Sequence, residues 1–364
     1  MSIPERLLLG PGPSPVSARV MRALSSPVLS HLDPYLLEAM DRLRGRLGAT
    51  FRADADAFAL AVSGTGTSGM EVAVANVTRP GSRATVVVTG YFGDRLAQMF
   101  QRYGAEVERI DVDWGRACDP ARVEAALAKR RPDLLGVVHA ETSTGVLNPV
   151  DDIARIAQVH DVVVVVDTVT SLGAMPVDLS RWGAAIAYSC SQKGLGAPSG
   201  LAPVAFSSAA LARRVPARSF YFDLGLLEDY WLRRKYHHTI SSPLIFALNE
   251  ALTIVEEEGL DARFARHREN HLALVRGLAA IGLSLLPVEA ERLWTLNAVR
   301  IPDGVDDASV RRELLTRFNI EIGAGLGPLA GKVWRIGLMG AGSTPENVSA
   351  LLDALRSLIP AGRS

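Results

Sequence analysis

Five consecutive valines, residues 162–166, constrain the fold of this chain more than any other segment. The run shows no alternation of apolar and polar side chains, and a strand of this composition needs apolar partners on both of its faces. Such strands occupy the centre of parallel sheets that are covered by helices. Asp167 ends the run and therefore lies at the carboxyl end of the strand, where open α/β sheets bind their ligands.

Further short apolar runs alternate with helical patterns in the first half of the chain, which is typical of an α/β protein with a parallel sheet. The predicted strands cover residues 58–62, 84–89, 106–110, 134–139, 162–167, 185–189 and 203–206. The predicted helices lie around residues 36–47 and over 94–103, 120–130 and 153–160. We therefore predict a mainly parallel sheet of seven strands.

The pattern changes after residue 243, and the length of 364 residues suits two domains. Long helices are predicted over 244–258 and 261–281, and then a mixed segment with strands at 294–300 and 333–337 and helices at 307–318 and 345–358. We predict an N-terminal arm of residues 1–15, which is rich in proline and glycine near its end, a large domain of residues 16–258, and a smaller α/β domain of residues 259–364.

The composition excludes several classes of function. Lys and Arg together number 39 and so do Asp and Glu, so no net charge favours binding to nucleic acid or to an anionic membrane. The longest apolar run is far shorter than the about 20 residues of a membrane span, and the N-terminus lacks the pattern of a secretory signal. Two cysteines are too few for a disulfide framework. We expect a cytoplasmic enzyme of intermediary metabolism.

Lys193 is the strongest candidate for a catalytic residue. It follows the apolar run 185–188, while Asp167 ends a neighbouring predicted strand. Pyridoxal 5′-phosphate chemistry needs such a pair, because the amine forms the Schiff base and the carboxylate keeps the pyridine nitrogen protonated. Taken alone, Lys193 would be a solvated loop lysine and Asp167 a helix N-cap. The pair carries weight only together with the segments that follow.

Other polar segments follow other predicted strands. The glycine-rich segment 64–69 leads from a strand into a helical pattern and offers free N–H groups to a phosphate, although it matches neither the Walker A motif nor the dinucleotide fingerprint. Thr142 follows the strand at 134–139. Tyr91 and Phe92 follow the strand at 84–89, where an aromatic side chain either stacks on a planar ring or fills the core. All these segments are expected at one edge of the sheet.

Two features remain ambiguous from the residues alone. Arg335 could bind a carboxylate with both guanidinium nitrogens, or it could be an exposed strand arginine. His237 and His238 look like metal ligands, but adjacent histidines do not converge on one ion without further ligands nearby. We predict no metal site.

Together these segments resemble the class V, fold-type I aminotransferases that depend on pyridoxal 5′-phosphate, and among them the alanine–glyoxylate and serine–pyruvate aminotransferases. The similarity extends over nearly the whole chain, from Leu8 to Gly337. The most specific strings are SGTG from Ser63, HAETSTG from His139, SQK from Ser191, YHHT from Tyr236 and GKVWRIG from Gly331.

The resemblance implies a role for each matching residue. Lys193 forms the internal aldimine and moves the proton between substrate Cα and cofactor C4′, Asp167 holds the pyridinium, and Arg335 binds the substrate carboxylate. Phe92 takes a position where the family often has Trp, so ring stacking should persist in weaker form. The residues expected to bind the cofactor in addition to Lys193 and Asp167 are Gly64, Thr65, Gly66, Thr67, Phe92, Thr142, Val169 and Gln192.

The resemblance also implies a homodimer. In this family Tyr236 and Thr239 reach across the dimer interface to the cofactor phosphate of the neighbouring subunit. Gly12 and His31 match positions that bind the substrate. The relatives that act on ureidoglycine tend to carry amide side chains at two pocket positions, which His31 and Tyr236 occupy here.

The resulting hypothesis is transfer of an amino group from alanine or serine to glyoxylate or pyruvate. No second arginine is evident for a distal carboxylate, which favours small uncharged donors. Ureidoglycine remains an alternative donor, because residues 221–224 and 327–332 look like that branch. A cysteine desulfurase or lyase would use the same lysine, but Cys118 and Cys190 are expected to lie outside long flexible loops. A non-catalytic ligand sensor would not need Lys193 and Asp167.

Overall fold

A computed structural model of the chain describes residues 3–359, so residues 1–2 of the predicted arm and 360–364 of the predicted small domain lie outside the described residues. The helices are α1 (Ala18–Leu24), α2 (Pro34–Thr50), α3 (Gly66–Ala75), α4 (Tyr91–Arg102), α5 (Pro120–Arg130), α6 (Val150–Val159), α7 (Ser208–Leu211), α8 (Leu224–Arg233), α9 (Ser242–Glu258), α10 (Leu260–Ala280), α11 (Asp307–Phe318) and α12 (Pro345–Leu358). Short 3₁₀ turns cover Ser180–Trp182, Glu289–Glu291, Gly327–Leu329 and Gly340–Gly342.

The strands are likewise numbered in the order in which they occur along the chain. They are β1 (Leu7–Leu8), β2 (Phe58–Gly64), β3 (Arg83–Val88), β4 (Glu106–Asp111), β5 (Leu134–Val138), β6 (Ala140–Glu141), β7 (Val146–Leu147), β8 (Val163–Asp167), β9 (Ala185–Tyr188), β10 (Gly200–Phe206), β11 (Leu296–Arg300), β12 (Ile320–Glu321), β13 (Gly323–Ala324) and β14 (Val333–Gly337).

Seven strands form the main sheet in the order β2-β10-β9-β8-β5-β3-β4. All neighbours are parallel except β10, which runs antiparallel to both β2 and β9. The valine run is the fourth strand, β8, and all its residues are buried, because β5 and β9 flank it and helices cover the sheet. The predicted sheet of seven mainly parallel strands is confirmed. Asp167 pairs in register with Val138 on β5 and Tyr188 on β9.

A second apolar core lies beyond the main sheet. Strands β11, β14 and β13 form an antiparallel sheet, and Trp334 of this sheet shares a core with Leu274 of α10 and Leu351 of α12. The N-terminal segment contributes to this core through Leu9, and its strand β1 pairs in parallel with β12. The sequence patterns did not predict β1, α1 or α8. The domain boundary at residue 259 stays a prediction.

Ionic contacts tie the start of α10 to the rest of the chain. Arg263, only 3 % exposed, donates from Nε to the carbonyl of Gly173 at 2.7 Å and from Nη2 to the carbonyl of Gly194 at 2.8 Å. Its third contact is an ion pair with Glu258 at 2.6 Å, and Glu258 also pairs with Arg266 at 2.6 Å. Arg263 therefore joins the end of α9 to the loop that follows Lys193.

None of the helices within residues 3–359 has both the length and the apolar composition that a membrane crossing requires.

We expect Arg263→Met to lower the free energy of unfolding by about 3 kcal/mol, because it removes one partner of a buried ion pair and leaves two buried carbonyls without a donor. Denaturant titration of the purified variant measures this change. The matched control is Arg19→Met, because Arg19 forms ion pairs of similar length with Glu250 and Glu257 but is 42 % exposed. It should cost less than about 1 kcal/mol. Equal losses in both variants would contradict the structural role of Arg263.

Candidate active site

A cavity lies at the carboxyl end of the parallel strands, where open α/β sheets bind their ligands. It is lined by residues at or just beyond the ends of β5, β8 and β9 and by residues of the first two turns of α3 and α4. The lining residues are Thr65, Gly66, Thr67, Met70, Phe92, Arg95, Val138, Ala140, Thr142, Asp167, Val169, Thr170, Cys190, Gln192 and Lys193. All the residues predicted to bind the cofactor line this cavity except Gly64, which ends β2, and Tyr236 and Thr239.

One end of the cavity is the N-terminus of α3. The glycine-rich segment does not precede this helix as a separate turn, because the helix already begins at Gly66 and Thr65 is its N-cap. The N–H groups in the first turn of a helix have no acceptor within the helix, so they attract an anion together with the helix dipole. A Cβ atom on Gly66 would lie 3.0 Å from Val169, so glycine lets this helix end approach the loop after β8.

Two side chains add donors beside this helix end. The buried carbonyl oxygen of the Gln192 side chain has no hydrogen-bond partner within residues 3–359. Because the two ends of an amide are interchangeable by rotation, Gln192 can present its N–H groups to an anion in the cavity. Arg95 donates from Nη1 to the hydroxyl of Thr67 at 3.2 Å. The helix end, Thr67, Gln192 and Arg95 therefore have the donors and the charge that a phosphate requires.

Asp167 ends β8 and is only 4 % exposed. Its Oδ1 accepts a hydrogen bond from the Val169 N–H at 2.8 Å, and its Oδ2 accepts one from the Tyr188 hydroxyl at 2.9 Å. Burial raises the pKa of Asp167 to about 7, although both hydrogen bonds act in the opposite direction. A cation placed beside this carboxyl group would restore its charge. The site therefore suits a protonated pyridine nitrogen.

Lys193 lies against the N-terminal segment. Burial lowers the pKa of its amine, and Nζ donates a hydrogen bond to the carbonyl of Pro11. Gly12 has a φ of +107°, and a Cβ atom there would collide with the Lys193 side chain, so only glycine allows this approach. Ser14 donates from its N–H to the carbonyl of Gln192 at 2.9 Å and from its hydroxyl to the carbonyl of Lys193 at 2.8 Å. Residues 11–14 thus pack against Lys193 and the backbone of the loop that carries it.

Phe92 lines the cavity, whereas Tyr91 does not and is 38 % exposed. The fully buried Glu141 holds the first turn of α4, on which Phe92 lies, by accepting hydrogen bonds from the N–H groups of Phe92 at 3.1 Å and Gly93 at 3.0 Å. Its other oxygen accepts a bond from the Ser143 hydroxyl at 2.6 Å. A carboxylate is favourable at a helix N-terminus, so Glu141 fixes the backbone that carries the aromatic ring.

Arg335 lies on β14 and is 8 % exposed, so it is not a surface arginine. Its Nε donates to the carbonyl of Ala324 at 2.6 Å. Burial lowers its pKa to about 10, and the charge of Glu141 partly offsets this effect. The guanidinium is close enough to Lys193 to lower the pKa of that amine further. It forms no ion pair with any carboxylate among residues 3–359, which leaves its Nη atoms available to an anionic ligand.

Six of the predicted site residues are not among the residues that line the cavity of their own chain: Gly64, Gly12 and Arg335, described above, and His31, Tyr236 and Thr239. Tyr236 is 61 % exposed, Thr239 is exposed, and the Tyr236 ring contacts the ring of His31 with 4.8 Å between the centroids. The contact shows that His31 and Tyr236, which are far apart in sequence, occupy one region of the surface.

Tyr188, Glu141 and Arg95 are site residues that the sequence patterns did not single out. Tyr188 stands at the end of an apolar strand and looks like a core residue, while Glu141 and Arg95 stand beside residues that were already assigned. The string that begins at His139 contains Glu141 and was the available signal for it.

Neither cysteine is suited to chemistry as a thiolate at neutral pH. Burial raises the pKa of Cys190, which lines the cavity, to about 12 and that of Cys118 to about 11. In the described part of the chain, no three His, Cys, Asp or Glu side chains are grouped so that they could hold a metal ion.

The comparison with known proteins identifies the family. The model of the aminotransferase class-V family matches residues 14–351. An alanine–glyoxylate aminotransferase of Drosophila melanogaster is 37% identical over 371 residues, which cover 99% of this chain and 94% of the relative. The crystal structure of an alanine–glyoxylate aminotransferase from Nostoc sp. has a TM-score of 0.96 at 44% identity and covers 98% of this chain and 96% of that one.

A ureidoglycine–glyoxylate aminotransferase from Bacillus subtilis is equally similar in fold, with a TM-score of 0.96 at 36% identity over 100% of this chain and 96% of that one. The extent of these matches, together with a cavity that pairs a lysine with a carboxylate, shows that the chain belongs to the class V aminotransferases, fold-type I enzymes that use pyridoxal 5′-phosphate.

Proposed function

We propose that this aminotransferase moves an amino group from alanine or serine to glyoxylate or pyruvate. The observation that carries the proposal is that one cavity holds the amine of Lys193, the carboxyl group of Asp167 and the N-terminus of α3. In this proposal the amine binds the reactive carbon of the cofactor, the carboxyl group contacts its ring nitrogen, and the helix N-terminus binds its phosphate. Arg335 adds an unpaired guanidinium for the carboxylate that every amino acid and keto acid carries.

The residues have separate tasks in this proposal. When bound, pyridoxal 5′-phosphate supplies a cationic ring that accepts the negative charge left at the substrate Cα. Lys193 would hold the cofactor, and its free amine would move a proton between the substrate Cα and the cofactor C4′. Burial favours this role, because an amine with a lowered pKa is more often neutral and so able to accept a proton. Asp167 keeps the ring nitrogen protonated.

The residues around the cavity favour a small donor. The sequence patterns indicate no second arginine for a distal carboxylate, but Arg95 lines the cavity. Because Arg95 donates to Thr67 at the N-terminus of α3, we assign it to the phosphate end and not to the substrate. A second substrate carboxylate would therefore be desolvated without a cation of its own, which is costly. Alanine and serine avoid this cost.

Ureidoglycine is the second candidate donor, because a (S)-ureidoglycine–glyoxylate transaminase of Bacillus subtilis is 35% identical over 379 residues, which cover 98% of this chain and 91% of the relative. Its ureido group needs hydrogen-bond partners such as amides. The contacting rings of His31 and Tyr236 offer no amide at the two positions in question. We therefore rank alanine and serine above ureidoglycine.

We further propose that two chains form a dimer in which each chain completes the active site of the other. Tyr236 and Thr239 are exposed, and Phe220 is 75 % exposed beside the ring of His237. Exposed aromatic side chains in one region are typical of an interface. Tyr236 and Thr239 would then donate hydrogen bonds to the cofactor phosphate of the partner subunit.

A cysteine desulfurase is disfavoured by the two thiols. Such an enzyme needs an accessible cysteine that accepts sulfur, whereas Cys118 and Cys190 are both buried. Their raised pKa values also keep them protonated at neutral pH.

Borohydride reduction of the enzyme with bound cofactor tests the site directly. We expect the reduced cofactor on a single proteolytic peptide, the one that contains Lys193, when the digest is analysed by mass spectrometry. Lys193→Arg keeps a cation at this position but cannot form the covalent bond, so it should remain unlabelled and inactive. Label on any other lysine would overturn the assignment.

A panel of amino donors tests the substrate. In single-turnover experiments we expect alanine and serine to remove the absorption band of the bound cofactor at least about tenfold faster than glutamate, because only glutamate carries an unpaired second carboxylate. Arg335→Lys is the control, and it should slow all donors, since it weakens a contact that they share. A faster reaction with glutamate would contradict the proposed preference, and a faster reaction with (S)-ureidoglycine would favour the second candidate.

Mixing two defective variants tests the dimer. Lys193→Ala lacks the catalytic amine, and the double variant Tyr236→Ala/Thr239→Ala lacks the proposed phosphate donors. If these donors act on the partner subunit, random re-association gives heterodimers with one intact site each, so about a quarter of the sites regain activity at limiting cofactor. Differently tagged subunits measure heterodimer formation. Heterodimers that form without any gain in activity would show that these two residues do not act across the interface.

A further inference from the structure

We propose that Tyr188 is a positioning residue for the cofactor: its hydroxyl group keeps the Asp167 carboxylate ionised and oriented toward the ring nitrogen of pyridoxal 5′-phosphate. The inference rests on the proposed pairing of Asp167 with that nitrogen. Tyr188 would thus affect the cofactor only at its ring nitrogen, through Asp167.

The backbone brings the two side chains together. Asp167 and Tyr188 are paired residues on the neighbouring parallel strands β8 and β9, so their side chains project from the same face of the sheet. The backbone continues this contact, since the N–H of Thr168 donates to the carbonyl of Tyr188 at 2.9 Å. Both side chains are fixed by the most buried part of the sheet, and Tyr188 is 0 % exposed.

The hydrogen bonds leave one side of the carboxylate free. The Tyr188 hydroxyl donates to Oδ2 at 2.9 Å, and the Val169 N–H donates to Oδ1 at 2.8 Å. Each carboxylate oxygen has two lone pairs, so each retains one after these bonds. Two donors, one on each oxygen, define the plane of the group and leave its remaining lone pairs to a cation in the cavity that Asp167 lines.

The charge of Asp167 depends on these donors. The carboxyl group lies in an apolar site, which favours its neutral form, while Glu141 nearby adds a like charge that acts in the same direction. The hydrogen bonds from Tyr188 and Val169 and the charge of Lys193 favour the ionised form. Val169 donates from its backbone, whereas the hydrogen bond of Tyr188 comes from its side chain and can be removed by substitution without changing Lys193 or Glu141.

A packing role for Tyr188 makes a different prediction. A buried tyrosine needs a hydrogen-bond partner for its hydroxyl group wherever it lies, and in a packing role Asp167 serves only as that partner. Phenylalanine fills almost the same volume, so Tyr188→Phe removes the hydroxyl group and keeps the packing. The chain offers a matched control, because Tyr103 also donates to a carboxylate at 2.9 Å, that of Glu71, and neither residue lines the cavity.

The test compares two ligands on the apoproteins. One is pyridoxal 5′-phosphate, and the other is its analogue in which a C–H group replaces the ring nitrogen. We expect Tyr188→Phe to raise the dissociation constant of pyridoxal 5′-phosphate about tenfold or more, which is typical of a lost hydrogen bond to a charged group, and to leave that of the analogue within about twofold. Tyr103→Phe should change neither constant. Absorption titration measures both.

Several outcomes would overturn the proposal. Equal weakening of both ligands by Tyr188→Phe would show a packing role, and no weakening of either would show no role. Asp167→Asn in the same assay tests the proposed pairing of Asp167 with the ring nitrogen independently of Tyr188. If this substitution changes the dissociation constants of both ligands equally, that pairing is wrong. Should Tyr188→Phe not fold, Tyr188→Met, which also lacks the hydroxyl group, is measured in its place.

Discussion

The structure depends on a carboxyl group held at the end of a strand that is otherwise apolar. Burial makes β8 a stable centre for the sheet, but the same burial opposes the charge of Asp167, whose pKa rises to about 7. Two hydrogen bonds reduce this cost without removing it. Because of the remaining cost, the carboxyl group favours a cation in the cavity, and in the proposed function a protonated pyridine ring would supply that cation. In this proposal, the burial of Asp167 favours the binding of a cationic cofactor ring.

The other groups of the site reach the cavity because parallel strands end at the same edge. Lys193 lies in the loop that follows β9, and the N-terminus of α3 follows β2, so both lie at the same edge of the sheet. The N-terminal segment contacts Lys193 and the backbone beside it. The contact of this segment with Lys193 requires a glycine at position 12. Because Leu9 of the same segment packs in the second core, the segment also connects that core to the active site. Arg263 also holds the loop that contains Lys193, because it donates a hydrogen bond to the carbonyl of Gly194.

Particular residues show how far the sequence could be interpreted. The uninterrupted valines predicted β8, and polar residues at strand ends predicted where Asp167, Thr142 and Lys193 would meet. Tyr188 escaped prediction because its sequence context is that of a core residue, and only the register of β8 and β9 brings its hydroxyl group to Asp167. Arg95 escaped because its side chain reaches Thr67 from another helix, a contact that no local pattern contains.

The sequence by itself determined the fold class and the chemistry, because apolar periodicity and the types of residue at strand ends are local properties of the chain. It also indicated the family, through strings that are each only a few residues long. Tertiary structure alone decided which groups donate hydrogen bonds to the Asp167 carboxylate and which backbone carbonyl accepts one from Lys193. It also decided that Tyr236 and His31 contact each other outside the cavity of their own chain. These are contacts between residues distant in sequence, and their distances follow from strand register and helix packing, which no single segment encodes.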